Sequence, residues 1–120
     1  MSAEEVLTRF SALLRVGDAV AAAHLFADDA TYDEPPRFAF RGRAAIQKFF
    51  SDFTASHRNA QFTIARTITQ GDLLAAEWRW DYDRADDGTH RTFEGISMIQ
   101  VKDGYIQNWR GYSALVTDRT

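Results

Sequence analysis

Glu34 stands immediately before Pro35-Pro36 and two residues after Tyr32. Proline removes a ladder donor and bars the preceding residue from the helical region, so Glu34 is expected at a rigid strand end. Strand alternation puts Tyr32 on the same face. A carboxylate facing an apolar pocket is desolvated, which makes it a usable base near neutral pH, and a phenol beside it is a hydrogen-bond donor. A second polar set lies in Glu77-Trp78-Arg79-Trp80-Asp81-Tyr82-Asp83. In an extended segment one face carries Glu77, Arg79, Asp81 and Asp83, and the other Trp78, Trp80 and Tyr82. Ordinary alternation in an antiparallel sheet buries the aromatic set and leaves the charges in water. If enclosed instead, Arg79 and Asp81 would be costly without further hydrogen bonds, and a binding or catalytic use would follow.

Other chemistries find no support in the residue pattern. His24, His57 and His90 have no metal-ligand spacing, and the cysteine count of 0 removes thiol chemistry, disulfides and Cys-ligated zinc. No nucleophile elbow surrounds Ser97 or Ser113, and the 7 glycines fall in turns or singly in strands rather than in a phosphate loop. Neither a metal nor a cofactor is expected.

The elements that must position these groups are legible from periodicity. Ser2 and Glu5 form a capping-box signature, and Val6, Phe10, Leu13 and Leu14 then recur at helical spacing up to Gly17, predicting a helix over 3–15. Asp18 caps a second predicted helix through Val20, Ala23, Leu25 and Phe26, ending at Asp28-Asp29. A short extended piece over 30–34 follows, and Ala44, Ile46, Phe49, Phe50 and Phe53 mark a third helix. From residue 60 onward the period becomes two, over four segments punctuated by Gln70-Gly71-Asp72, Asp86-Asp87-Gly88 and Asp103-Gly104. Helices first and an antiparallel meander afterwards read as α+β, with helices on one face of a sheet.

The chain has 120 residues, 45% of them hydrophobic, with no run near the ~20 residues of a membrane span, so residues 1–120 are expected to form one domain without a membrane partner. Interspersed charges with a net −3 make nucleic acid an unexpected partner. Glu4 and Glu5 stand where a signal peptide needs basic residues, which places the expected location in the cytoplasm.

The order of two helices, "FADDATYDEPP", "RGRAAIQKFF", "LLAAEWRWDYD" and "VKDGYIQNWRGY" resembles the SnoaL-like branch of the nuclear transport factor 2-like superfamily over nearly the whole chain. The resemblance implies a cone-shaped barrel, with three N-terminal helices packed on a curved mixed sheet of about six strands around an apolar pocket, and a dimer through the convex face. In limonene epoxide hydrolases an Arg and an Asp two residues apart face the cavity, which Arg79 and Asp81 match. This reverses the ordinary alternation and sends Trp78, Trp80 and Tyr82 to the convex face as a homodimer interface. Glu34 matches the corner where ketosteroid isomerases carry their Asp base, and Tyr32 with Glu34 matches a Tyr and an Asn of the epoxide hydrolases. The catalytic set implied is therefore Glu34, Asp81, Arg79 and Tyr32.

The departures are equally informative. Phe10 replaces the oxyanion-hole Tyr of the isomerases, Ser97 their protonated Asp, and Gly111 the second Asp of the epoxide hydrolases. The ligand-binding wall implied is Phe10, Phe26, Phe49, Phe53, Phe62, Phe93 and Trp109, with Ser97 and Gly111 on the same strands. Two functions fit this set. One is a cofactor-free isomerase, cyclase or hydrolase acting on a small, largely apolar molecule of polyketide, terpenoid or steroid-like type. The other is a non-catalytic ligand-binding or dimerisation module.

Overall fold

Helix α1 spans Ala3–Val16, and both halves of its capping box are made. The Glu5 amide donates to Ser2 Oγ at 3.1 Å, and the Ser2 amide donates to Glu5 Oε1 at 3.0 Å. Such a cap is worth about 1 kcal/mol. The face carrying Val6, Leu7, Phe10 and Leu14 is buried. The computed structural model describes residues 1–119, with side chains through residue 116.

Helix α2, Ala19–Ala23, is shorter than its apolar stripe predicts. Leu25 and Phe26 leave the helix because their backbone is taken up by the sheet. The Ile106 amide donates to Leu25 O at 2.7 Å, and strand β1, Phe26–Glu34, begins where Phe26 pairs with Ile106. Asp28-Asp29 is thus strand rather than turn. After the Pro35-Pro36 corner comes a strand that the sequence reading lacked, β2, Phe38–Arg41, which pairs antiparallel with β1. Helix α3, Arg43–Ala55, buries Ile46 and Phe50. Its first residue ties it to β1, since Arg43 Nε and Nη2 donate to Phe26 O at 2.9 and 2.7 Å.

The meander follows as β3 (His57–Gln70), β4 (Leu73–Arg84), β5 (His90–Lys102) and β6 (Tyr105–Arg119). Asp103 and Gly104 both hold positive φ, 54° and 82°, the backbone of a tight hairpin whose twist matches its strands. The six strands run β2-β1-β6-β5-β4-β3, with β1 parallel to β6 and every other pair antiparallel. Register shifts within β3–β4 and β5–β6 bend the sheet. The helices lie in its concave face, giving the expected α+β cone of three helices on a curved six-stranded mixed sheet. Among the described residues no helix is long and apolar enough to cross a membrane.

The faces of β4 are the reverse of those taken from the epoxide hydrolases. Trp78, Trp80 and Tyr82 are buried on the concave side, and Arg79 points outward with about half its side chain exposed. Three large rings gain far more from burial than an outward ring face would return. The charges meanwhile find partners on the outer face, where Arg66 pairs with Glu77 and Arg79 with Asp81, each at 3.0 Å. The aromatic stripe is therefore not available as a dimer interface.

Candidate functional site

Between the helices and the concave sheet lies a cavity of about 190 Å³. Six of the expected wall residues line it: Phe10, Phe49, Phe53, Phe62, Phe93 and Trp109. Phe26 does not, because it is fully buried one layer deeper, against Phe10 and Phe50. Phe38, Phe50, Trp78, Trp80 and Tyr82 complete the aromatic wall, and reading the alternation of β4 by itself would have found the last three.

Ser97 and Gly111 stand behind the wall instead of in it. Trp78 Nε1 donates to the buried Ser97 Oγ at 2.8 Å, which fixes the indole plane. Glycines on β5 and β6 make the room: a Cβ at Gly95 would meet Trp78 Cζ2 at 2.6 Å, and one at Gly111 would meet Ser97 Oγ at 2.8 Å. These two positions hold a tryptophan in place, a role the comparison with a missing catalytic Asp did not suggest.

The polar end of the cavity is built by the corner and the last strand. Glu34, with 14% of its side chain exposed, lines the cavity beside Arg37 and Ser113. Arg37 Nη2 donates to both Glu34 Oε1 and Ser113 Oγ, and Ser113 Oγ donates in turn to Glu34 Oε1. Two of these bonds end on Oε1, and Oε2 makes no hydrogen bond with the described residues. The Arg37 guanidinium also lies over the Phe93 ring, 5.3 Å from its centroid. Arg37 was not singled out from sequence. Its signal was a basic residue three positions after Glu34 across a turn, which the Arg37 amide closes on Glu34 O at 2.8 Å.

Tyr32 forms the cavity floor, stacked between Phe38 at 5.5 Å and Trp109 at 5.7 Å. Burial, helped by the charge of Glu34 and opposed by Arg37, pushes its phenol well above the usual range, so it stays protonated and able to donate. Its hydroxyl makes no hydrogen bond with the described residues.

Arg79 and Asp81 do not join this site, for they lie across the sheet from it. Asp81 accepts from Arg79 Nε at 3.0 Å and Thr92 Oγ1 at 2.6 Å. Burial raises its pKa, but those two bonds outweigh burial and hold it below the usual carboxylate value. Asp83 accepts from Asn59 Nδ2 at 2.8 Å and lies 2.9 Å from His90 Nδ1, and it too is held low. The outer cluster is an ion-paired surface, and neither Arg79, Asp81 nor Asp83 lines the cavity. Of the other histidines, His57 packs its ring on Tyr82 at 3.8 Å, and burial lowers its pKa despite its bond to Phe53 O. Among the described residues no cluster of three His, Cys, Asp or Glu could hold a metal ion.

A curved sheet closed by helices over an aromatic cavity with one carboxylate at its rim defines a fold class rather than one reaction. The chain belongs to the SnoaL-like domain family, which matches residues 7–109. Among solved structures it resembles a protein from Bacillus subtilis provisionally named an isomerase, at 24% identity and a TM-score of 0.85, over 93% of this chain and 86% of that one. It also resembles an epoxide hydrolase/cyclase-like enzyme of pyran ring formation in the polyether salinomycin, at 16% identity and 0.83, over 92% and 89%. A limonene-epoxide-hydrolase-like enzyme from M. tuberculosis aligns at 18% identity and 0.80, over 92% and 80%. At these identities the likeness is one of fold. No curated protein sequence matches the chain.

Proposed function

We propose that the protein is an enzyme of the isomerase, cyclase or hydrolase type, working by acid–base chemistry on a small, mostly apolar molecule, with Glu34 as its base. One observation carries this reading: the cavity is walled by aromatic rings, and Glu34, the one carboxylate among its described lining residues, is held there through Oε1 alone. Arg37 and Ser113 hold Oε1, which fixes the carboxylate plane and leaves Oε2 to take a proton or orient a water. Tyr32 donates to an oxygen of the substrate as charge develops there. This role for Tyr32 and Glu34 keeps half of the expected catalytic set and replaces Arg79 and Asp81 with Arg37 and Ser113. The reaction needs no cofactor, since both proton donor and acceptor come from the chain.

Glu34→Gln retains shape and removes the base. It is expected to lower kcat by about 10²-fold or more and to leave ligand affinity within a few-fold of wild type. Full turnover in Glu34→Gln would overturn the assignment, and unchanged binding without any turnover in the wild type would favour the non-catalytic binding module.

The protein is proposed to act in the cytoplasm as a homodimer. The supporting surface is the outer face of β5 and β6, where Ile96, Met98 and Tyr112 are each about half exposed. Ile96 pairs with Tyr112, with Glu94 at one end of this patch and Arg110 at the other. A second copy packed about a twofold axis would set each acid against the other's base. Sedimentation equilibrium at micromolar concentration is expected to show the dimer, and Tyr112→Glu to shift it to monomer. A wild-type monomer alone would reject it.

A further inference from the structure

The size of the cavity and the balance of charge at its rim select among small molecules. We infer that the pocket takes a neutral ligand of one ring, bearing a single carbonyl, ether or hydroxyl oxygen, and excludes fused polycyclic and charged compounds. The inference rests on the proposed reading of this cavity as the ligand site, and narrows its substrate class.

A dry cavity of about 150 Å³ holds benzene. The present 190 Å³ exceeds that by an amount comparable to one water's share of liquid volume, roughly 30 Å³. One six-membered ring with one or two further heavy atoms fills it. A second fused ring must stay outside or displace a wall residue, and the wall is interlocked. Phe49 lies 4.7 Å from Phe38 and 4.8 Å from Phe40, and Phe53 stacks on Trp80 at 5.3 Å. Moving one ring in such a packed set disturbs its neighbours, so the cavity does not widen freely.

The charge argument starts from the rim. Glu34 and Arg37 neutralise each other there, and Arg37 already occupies the face of Phe93. An ammonium group would meet the Arg37 cation, and a carboxylate would meet Glu34. Neither would find an uncompensated opposite charge. A neutral oxygen has two donors to receive it, the protonated Tyr32 hydroxyl and the Arg37 guanidinium, at the cost of shifting one Arg37 bond from Ser113.

Calorimetric titration of the wild-type protein with ketones of increasing size tests this without reference to turnover. Three probes suffice: 3-methylcyclohexanone, 1-decalone and a four-ring steroid ketone. The one-ring ketone is expected to bind at least tenfold tighter than the two-ring ketone, with no detectable binding of the steroid. 3-Methylcyclohexylamine and 3-methylcyclohexanecarboxylate at neutral pH are each expected to bind at least tenfold more weakly than the ketone. Phe38→Ala, on the edge strand β2, removes one wall ring and is expected to bring 1-decalone to within threefold of the smaller ketone. Equal or tighter binding of the steroid or of a charged probe overturns the inference, as does failure of all three ketones to bind. The Glu34→Gln kinetics are separate: loss of the size limit with a large kcat effect would retain the enzyme and discard this substrate class, and the reverse pattern would do the opposite.

Discussion

Phe10→Ala is expected to lower folding stability by about 4 kcal/mol, within the range of buried Phe→Ala changes. The side chain is 1% exposed and is shared by helix and sheet. Its ring meets Trp109 at 5.0 Å, Phe50 at 5.5 Å, Phe26 at 6.0 Å and Phe62 at 6.1 Å. Truncation loses the transfer free energy and leaves a void that those four rings cannot close, because each is fixed by its own neighbours. Urea unfolding followed by circular dichroism measures the effect as a lower midpoint at unchanged slope. A loss under about 1.5 kcal/mol would mean that α1 settles onto the sheet, a degree of plasticity the interlocked rings do not allow.

Gly95→Ala is expected to cost about 3 kcal/mol, at the upper end for overpacking, although it adds one methyl group to a strand where alanine's backbone preferences are acceptable. The reason is steric. The new Cβ would fall 2.6 Å from Tyr112 O and 2.8 Å from Ser113 Cβ on β6, and 2.6 Å from Trp78 Cζ2. Relief on one side pulls β5 from β6, while relief on the other swings Trp78 away from Ser97 and into the cavity. The same unfolding measurement checks the stability, and ketone titration is expected to show weakened binding as the displaced indole fills space. A near-neutral Gly95→Ala would show that the β5–β6 pairing is looser than its register indicates.

The sheet-forming half of the chain was the more legible. Alternation and the Asp103-Gly104 signal are local, and the meander needs nothing else. α1 was equally plain, because Ser2, Glu5 and Gly17 bracket it. Errors arose where a long-range contact overrode a local signal. Leu25 and Phe26 carry helical spacing but are claimed by β6, and Phe38–Arg41 is too short to announce a strand until β1 lies beside it. The site followed the same division. Glu34 and Tyr32 were found because a proline corner is a local feature. Arg37 lies three residues from Glu34, a local signal passed over beside the prolines, whereas Ser113 meets the corner only when it folds onto the far end of the sheet, 79 residues along the chain. Arg79 and Asp81 were drawn into the set by a likeness to enzymes with a similar spacing. Here the simple rule that rings go inward was the better physical guide.

All 3 tryptophans of the chain, Trp78, Trp80 and Trp109, line the one aromatic cavity. The tryptophan emission of the molecule therefore originates entirely from the chamber wall, with no indole elsewhere to dilute it. Any guest that displaces water from that chamber should shift or quench the emission directly. The protein thus carries its own label for occupancy, and unlabelled compound collections can be screened by colour and brightness of the native fluorescence before a single reaction product is known.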